Sequence, residues 1–134
     1  MIVNNRAFFN DVIDILKTQD VIIKIKGTSM WPFFKDGQTD VTLTKSDTYK
    51  KNDICLFTYQ DTFIIHRLIK IKDNKYIFKG DGLTTKEVVN KKSIIAKVSH
   101  YQTKKLIDVT KKSYRCRVFL YRLLPRRLIL KVFK

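Results

Sequence analysis

The stretch that determines the class of this protein is DICLFTYQDTFIIHRLIKIKDNKYIFKG, residues 53–80. It contains three runs rich in Ile, Phe and Tyr, over 53–59, 62–71 and 75–80, and such residues favour strands. The dipeptides that separate the runs, Gln60-Asp61 and Asp73-Asn74, include residues that tolerate the backbone of a tight turn. The stretch therefore predicts an antiparallel β-meander.

Further strands are expected on both sides of this meander, over residues 21–26, 39–43 and 93–101. In the first of them, VIIKIK, apolar residues alternate with lysine in the period of a half-buried strand. Residues 6–18 instead place apolar residues at helical spacing, with acids on the other face. We expect a mainly β, antiparallel domain that begins with a short amphipathic helix.

The C-terminal part of the chain has a different composition. From residue 113 apolar and basic residues interleave in a segment of helical character, which Pro125 is expected to break. The chain carries a net charge of +16, and from Lys111 onward there are nine basic residues and no acid. We therefore divide the chain into a β-domain over 1–110 and a basic amphipathic tail over 111–134.

The charge and the cysteine content of the chain indicate which classes of partner it binds and in which cellular compartment it is found. An excess of 28 basic over 12 acidic residues attracts phosphates, on nucleic acid or on an anionic membrane. The two cysteines form no disulfide framework, which favours a reducing compartment. No stretch reaches 18 apolar residues without a charge, so no transmembrane span is expected. We expect a cytoplasmic protein whose residues 113–134 contact the inner membrane face; the alternative is that the apolar face of this tail packs on the β-domain and its charges are solvated.

The segment that suggests chemistry is GTSMWPFFKDG, residues 27–37. Ser29 directly follows a predicted strand, with Gly27 two residues before it and Pro32 three after it. A nucleophilic serine needs a tight exposed turn whose backbone amides face the developing oxyanion. Taken alone, the pattern also fits a solvated serine in an ordinary turn.

Four short motifs in order resemble the superfamily of signal peptidase I and the LexA repressor. They are Gly27-Thr28-Ser29-Met30-Trp31-Pro32, Asn52-Asp53-Ile54-Cys55, His66-Arg67-Leu68 and Gly80-Asp81-Gly82. The resemblance covers roughly residues 21–98 and implies a partly barrel-like β-domain. The histidine before arginine is similar to the endoplasmic reticulum and archaeal branch, whereas bacterial relatives carry lysine there. The membrane anchor typical of signal peptidases is not seen.

The resemblance implies Ser29 as nucleophile and His66 as its base, and a neutral imidazole suits that task near pH 7. Asp81 is expected to orient the imidazole, with Glu87 as a weaker candidate for the same role. The expected substrate-binding and oxyanion residues are Ile25, Gly27, Thr28 and Met30. Without the resemblance, a satisfied core histidine and a turn aspartate would be the simpler interpretations.

The leading hypothesis is a serine endopeptidase that cleaves a leader or signal-like peptide without metal or cofactor. The strand before Ser29 would pair with the extended peptide. A LexA-like self-cleaving regulator is one alternative, although roughly 20 residues before the first strand are too few for a helix-turn-helix module. A catalytically idle basic module that binds nucleic acid or membrane is the other.

Overall fold

The computed structural model describes residues 2–3, 6–104 and 106–123, and it shows a mainly β, antiparallel fold. The strands are Ile2–Val3 (β1), Val21–Lys24 (β2), Asp40–Thr44 (β3), Ile54–Tyr59 (β4), Thr62–Lys72 (β5), Lys75–Lys79 (β6), Lys86–Asn90 (β7), Ile94–Gln102 (β8) and Leu106–Asp108 (β9). The helices are Arg6–Leu16 (α1) and Lys112–Leu123 (α2), with a 3-10 turn at Lys91–Ser93.

The strands form one open sheet in the order β2-β3-β8-β4-β5-β6-β7. Strand β1 adds to β5, and β9 adds to β8. The expected meander is confirmed as β4, β5 and β6, and both of its turn dipeptides lie in the left-handed region. The remaining predicted strands are present within a few residues of their expected limits, whereas β1, β7 and β9 were not predicted.

Strand β5 has a core on each of its faces because successive side chains of a strand point to opposite sides. Ile65 and Phe63 lie in the larger core, which also receives residues from β2, β3, β8 and both helices. Ile64 and Leu68 lie in the smaller core, together with Phe57. His66 and Arg67 follow this alternation, so two neighbouring polar residues enter the protein on different sides.

Helix α2 packs on the domain through one face. Tyr114 and Val118 are buried in the larger core, and Tyr121 is half-buried beside it. The opposite face is exposed, including Phe119 and Leu120. The predicted break at Pro125 and the rest of the tail lie outside the described residues. Within the described part of the chain, no helix is long and apolar enough to cross a membrane.

Candidate active site

Ser29 lies in a turn that follows β2 almost directly. Gly27 adopts a φ of 93°, a conformation that residues with a Cβ rarely adopt. The Gly27 amide donates to the Asp36 carboxylate at 2.8 Å, which closes the loop behind the serine. The Trp31 amide then donates to the Thr28 carbonyl at 3.0 Å, so Ser29 sits within a hydrogen-bonded turn and is partly exposed.

A second turn, Gly80-Asp81-Gly82, packs against the first. The Gly82 amide donates to the Ser29 carbonyl at 2.8 Å. A Cβ added at Gly80 would lie 2.5 Å from that carbonyl oxygen and 3.0 Å from His66 Nε2. Only glycine therefore allows the two turns to meet, and the Nε2 atom of His66 lies beside Gly80 at this contact.

The His66 imidazole is buried, with 1% of the residue exposed, and is held from its other side. Its Nδ1 atom lies 2.5 Å from Glu87 Oε1, and Glu87 comes from β7. Its Nε2 atom is buried without a hydrogen-bond partner among the described residues. A proton on Nδ1, facing Glu87, leaves the lone pair of Nε2 directed towards the two turns.

Burial lowers the pKa of His66 below its ordinary value of 6.5, although the hydrogen bond to Glu87 opposes this shift. Desolvation disfavours the charged imidazolium, whereas a neighbouring carboxylate favours it. The net direction keeps the imidazole neutral at pH 7, and a neutral imidazole is the form that can accept a proton. A carboxylate beside the ring favours the imidazolium whenever the ring is protonated.

The structure does not bring Asp81 to the imidazole as expected from the sequence. Its carboxylate is bound by Arg67, with Nε to Oδ1 at 2.8 Å and Nη2 to Oδ2 at 2.7 Å. The reason is the strand alternation: Arg67 enters the larger core, where its guanidinium lies 5.0 Å from the Phe33 ring centre. Glu87, the weaker candidate of the sequence analysis, is the carboxylate that contacts His66.

The four predicted substrate-binding and oxyanion residues have different positions. Ile25 is buried, and its amide and carbonyl bond to Thr39 and Gly37. Met30 is also buried, and its carbonyl accepts from the two residues of Phe33-Phe34. The protein itself thus occupies the hydrogen-bonding groups of the Ile25 backbone and the Gly27 amide. Gly27 has no side chain, so Thr28 is the one residue of the four with an exposed side chain.

The other histidine forms a more open polar cluster on β8. His100 Nδ1 lies 3.1 Å from Ser99 Oγ, and His100 Nε2 lies 3.6 Å from Asp108 Oδ2. The His100 and Asp108 side chains are about one-third exposed, unlike the buried His66 and Glu87. In the described ranges of the chain, no group of three or more His, Cys, Asp or Glu side chains could hold a metal ion.

Comparison with known proteins agrees with the motifs and the fold. The sequence model described as Peptidase S24-like matches residues 5–99, which include the Ser29 turn, the His66 strand and Glu87. No curated protein matches the chain in sequence. Because the matched region covers most of the chain, this protein belongs to the Peptidase S24-like family, within the LexA and signal peptidase I superfamily of serine peptidases.

Proposed function

We propose that this protein is a serine endopeptidase in which Ser29 is the nucleophile, His66 the general base and Glu87 the residue that orients the imidazole. The observation that carries the proposal is the buried His66, with Nδ1 on Glu87 and Nε2 beside Gly80, where the Ser29 turn packs. A carboxylate, an imidazole and a serine in this order form the arrangement that activates a serine hydroxyl.

The reaction follows from the positions of the protons. His66 Nε2 takes the proton of Ser29 Oγ as that oxygen attacks the peptide carbonyl carbon. The bond to the amine nitrogen then breaks, and the imidazolium gives its proton to the leaving amine. Water hydrolyses the resulting ester by the same base, which restores Ser29. Glu87 stabilises the imidazolium in each transition state and keeps its own charge.

The substrate that fits this site is an extended peptide. In the described sheet β2 is an end strand, and it leads into the Ser29 turn within five residues. Ile22 on β2 is 69% exposed. A peptide that adds alongside β2 would present its carbonyl to Ser29 and cover Ile22. Leader or signal-like peptides of cytoplasmic precursors are the proposed class.

The test is labelling by a fluorophosphonate, which reacts with activated serines and needs no known substrate. We expect one adduct per chain, located at Ser29 by mass spectrometry and lost in Ser29→Ala. Ser46→Ala is the matched control, because Ser46 bonds only within its own loop, to the carbonyl of Thr48. An adduct that persists in folded Ser29→Ala, or no adduct in the wild type, contradicts the assignment. Fragments of unlabelled protein after incubation would instead indicate self-cleavage.

A second proposal concerns location: the exposed face of α2 attaches the enzyme to an anionic membrane surface on the cytoplasmic side. Phe119 and Leu120 are 63% and 50% exposed, and the exposed basic residues Lys112, Arg115 and Arg117 lie on the same helix. Apolar residues beside cations are typical of helices that lie in the interface. Each basic residue near such a surface contributes about 1 kcal/mol.

Co-sedimentation with liposomes tests this attachment. The wild type should bind vesicles of phosphatidylglycerol and ignore vesicles of phosphatidylcholine, and the double variant Phe119→Ala/Leu120→Ala should bind less. Val88→Ala is the matched control, because Val88 is 49% exposed on the distant edge strand β7. Equal binding by the double variant and the wild type, or binding to nucleic acid in preference to vesicles, contradicts the proposal.

A further inference from the structure

We infer that Tyr121 in α2 is a positioning residue, which holds the Gly80–Gly82 turn against Ser29. The inference rests on the proposed peptidase function and extends it, because it assigns a role at the site to a helix beyond the region that matches the family. Tyr121 belongs to the C-terminal segment whose composition predicts a separate basic tail. Its hydroxyl bonds to the main chain of the Gly80–Gly82 turn, so its action on the site is through the backbone.

The first contact joins Tyr121 to the Gly80–Gly82 turn, which packs against the Ser29 turn. Its hydroxyl donates to the main-chain carbonyl oxygen of Asp81. Asp81 precedes Gly82, whose amide donates to the Ser29 carbonyl at 2.8 Å. The side chain of Asp81 is at the same time fixed by Arg67, the neighbour of His66. The peptide that Tyr121 restrains is therefore tied to both the nucleophile and the strand of the base.

The second contact joins Tyr121 to the segment that follows the serine. Its ring meets the Phe33 ring edge-on, with centres 5.4 Å apart. Phe33 lies four residues after Ser29, and its amide donates to the Met30 carbonyl at 3.1 Å. One side chain thus contacts both the Gly80–Gly82 turn and the segment that follows Ser29.

The helix provides a rigid base for these contacts. Tyr114, Val118 and Tyr121 follow one another at helical spacing on the buried face, and the first two are almost fully covered. A phenylalanine would fill the place of Tyr121 equally well, so packing alone does not require the hydroxyl. The hydroxyl supplies the bond that fixes the Asp81 carbonyl, and small displacements of reacting groups can lower a rate about 100-fold.

Tyr121→Phe tests the inference, with Tyr76→Phe as the matched control because Tyr76 is a half-buried tyrosine of the smaller core. For Tyr121→Phe we expect the maximal rate of fluorophosphonate inactivation to fall about tenfold, with the inhibitor concentration at half-maximal rate unchanged. The Gly82 amide should also exchange its hydrogen about tenfold faster. Tyr76→Phe should match the wild type in both measurements. A merely stabilising tyrosine would change the melting temperature but not the inactivation rate of the folded protein.

The exchange measurement keeps this inference separate from the proposed function. If the wild type is not labelled at Ser29, the peptidase assignment fails, and the exchange of the Gly82 amide still decides whether Tyr121 holds the turn. Unchanged exchange in Tyr121→Phe overturns the inference. So does a labelled Ser29 whose maximal inactivation rate is the same in Tyr121→Phe and the wild type.

Discussion

Replacing Glu87 by glutamine tests the contribution of its negative charge, because the rest of the proposed site is unchanged. The variant Glu87→Gln keeps the size of the side chain and an oxygen that can accept the hydrogen bond from His66 Nδ1. It removes only the negative charge 2.5 Å from the imidazole. Because His66 is neutral in the resting protein, the lost charge matters mainly when the imidazolium forms during the reaction.

The expected effect follows from the burial of the pair. Both side chains are nearly covered, 1% and 9% exposed, so solvent screens their interaction weakly. Two unit charges about 4 Å apart interact by about 4 kcal/mol at an effective dielectric constant of about 20. A factor of ten in rate corresponds to about 1.4 kcal/mol. We therefore expect Glu87→Gln to lower the maximal rate of Ser29 labelling about 1000-fold.

Asp81→Asn is the matched control, since it removes the other buried carboxylate by the same change of one atom. Here the partner is Arg67, which remains charged and buried. Breaking a buried ion pair costs about 3 kcal/mol of stability. We expect a clear fall in the free energy of unfolding for Asp81→Asn and a small one for Glu87→Gln, measured by urea denaturation.

Glu87→Gln should therefore lose mainly labelling rate, whereas Asp81→Asn should lose mainly stability. Labelling rates of the folded proteins are compared at neutral pH, with intact-mass spectrometry to count adducts. Our reasoning is refuted if Glu87→Gln labels at the wild-type rate. It is also refuted if folded Asp81→Asn loses as much activity as Glu87→Gln without loss of stability, because Asp81 would then act as the orienting acid.

Two further predictions concern pH and the contact between the turns. Because burial lowers the pKa of His66 below 6.5, labelling should rise with pH to half its maximum below pH 6.5, and activity that is constant from pH 5 to 8 contradicts a His66 base. The unfolded state then binds the His66 proton more tightly than the folded state does. The free energy of unfolding should therefore fall as pH drops below 6.5, and this fall should be smaller in His66→Gln. Gly80→Ala should reduce labelling about 100-fold, because the added Cβ would lie 2.5 Å from the Ser29 carbonyl; a wild-type rate contradicts that contact.

The strands that could be predicted from sequence are those whose inward positions are apolar. In β4 and β5 most covered positions carry Ile, Leu or Phe, with His66 and Arg67 as the polar exceptions in β5, and the apolar pattern needs no tertiary information. Strand β7 reads Lys86-Glu-Val-Val-Asn90, and its two buried positions are Glu87 and Val89. An acid at an inward position breaks the apolar alternation, so the strand was missed. The buried acid is explained only by the histidine that lies opposite it.

The same difficulty explains why the site was predicted in part. Ser29 and His66 belong to short motifs of recognisable order, and the match to the Peptidase S24-like family covers both. The orienting acid follows no local motif, because Glu87 reaches His66 across two neighbouring strand pairs of the sheet. Asp81 was predicted because it lies in Gly80-Asp81-Gly82, a motif that resembles the family. Membership of a motif does not determine, however, which face of β5 a carboxylate contacts.

The alternation of β5 places the proposed base and a buried cation side by side while keeping their carboxylates apart. His66 needs a partner that stabilises a charge formed only during the reaction, whereas Arg67 carries a permanent charge that must be neutralised in the folded state. If both side chains faced one core, the guanidinium would bind either carboxylate and oppose formation of the imidazolium. Because successive residues point to opposite sides, Glu87 serves His66 in the smaller core and Asp81 serves Arg67 in the larger. The Arg67–Asp81 pair is also linked to the site through the backbone of the Gly80–Gly82 turn, which is the turn that Tyr121 contacts.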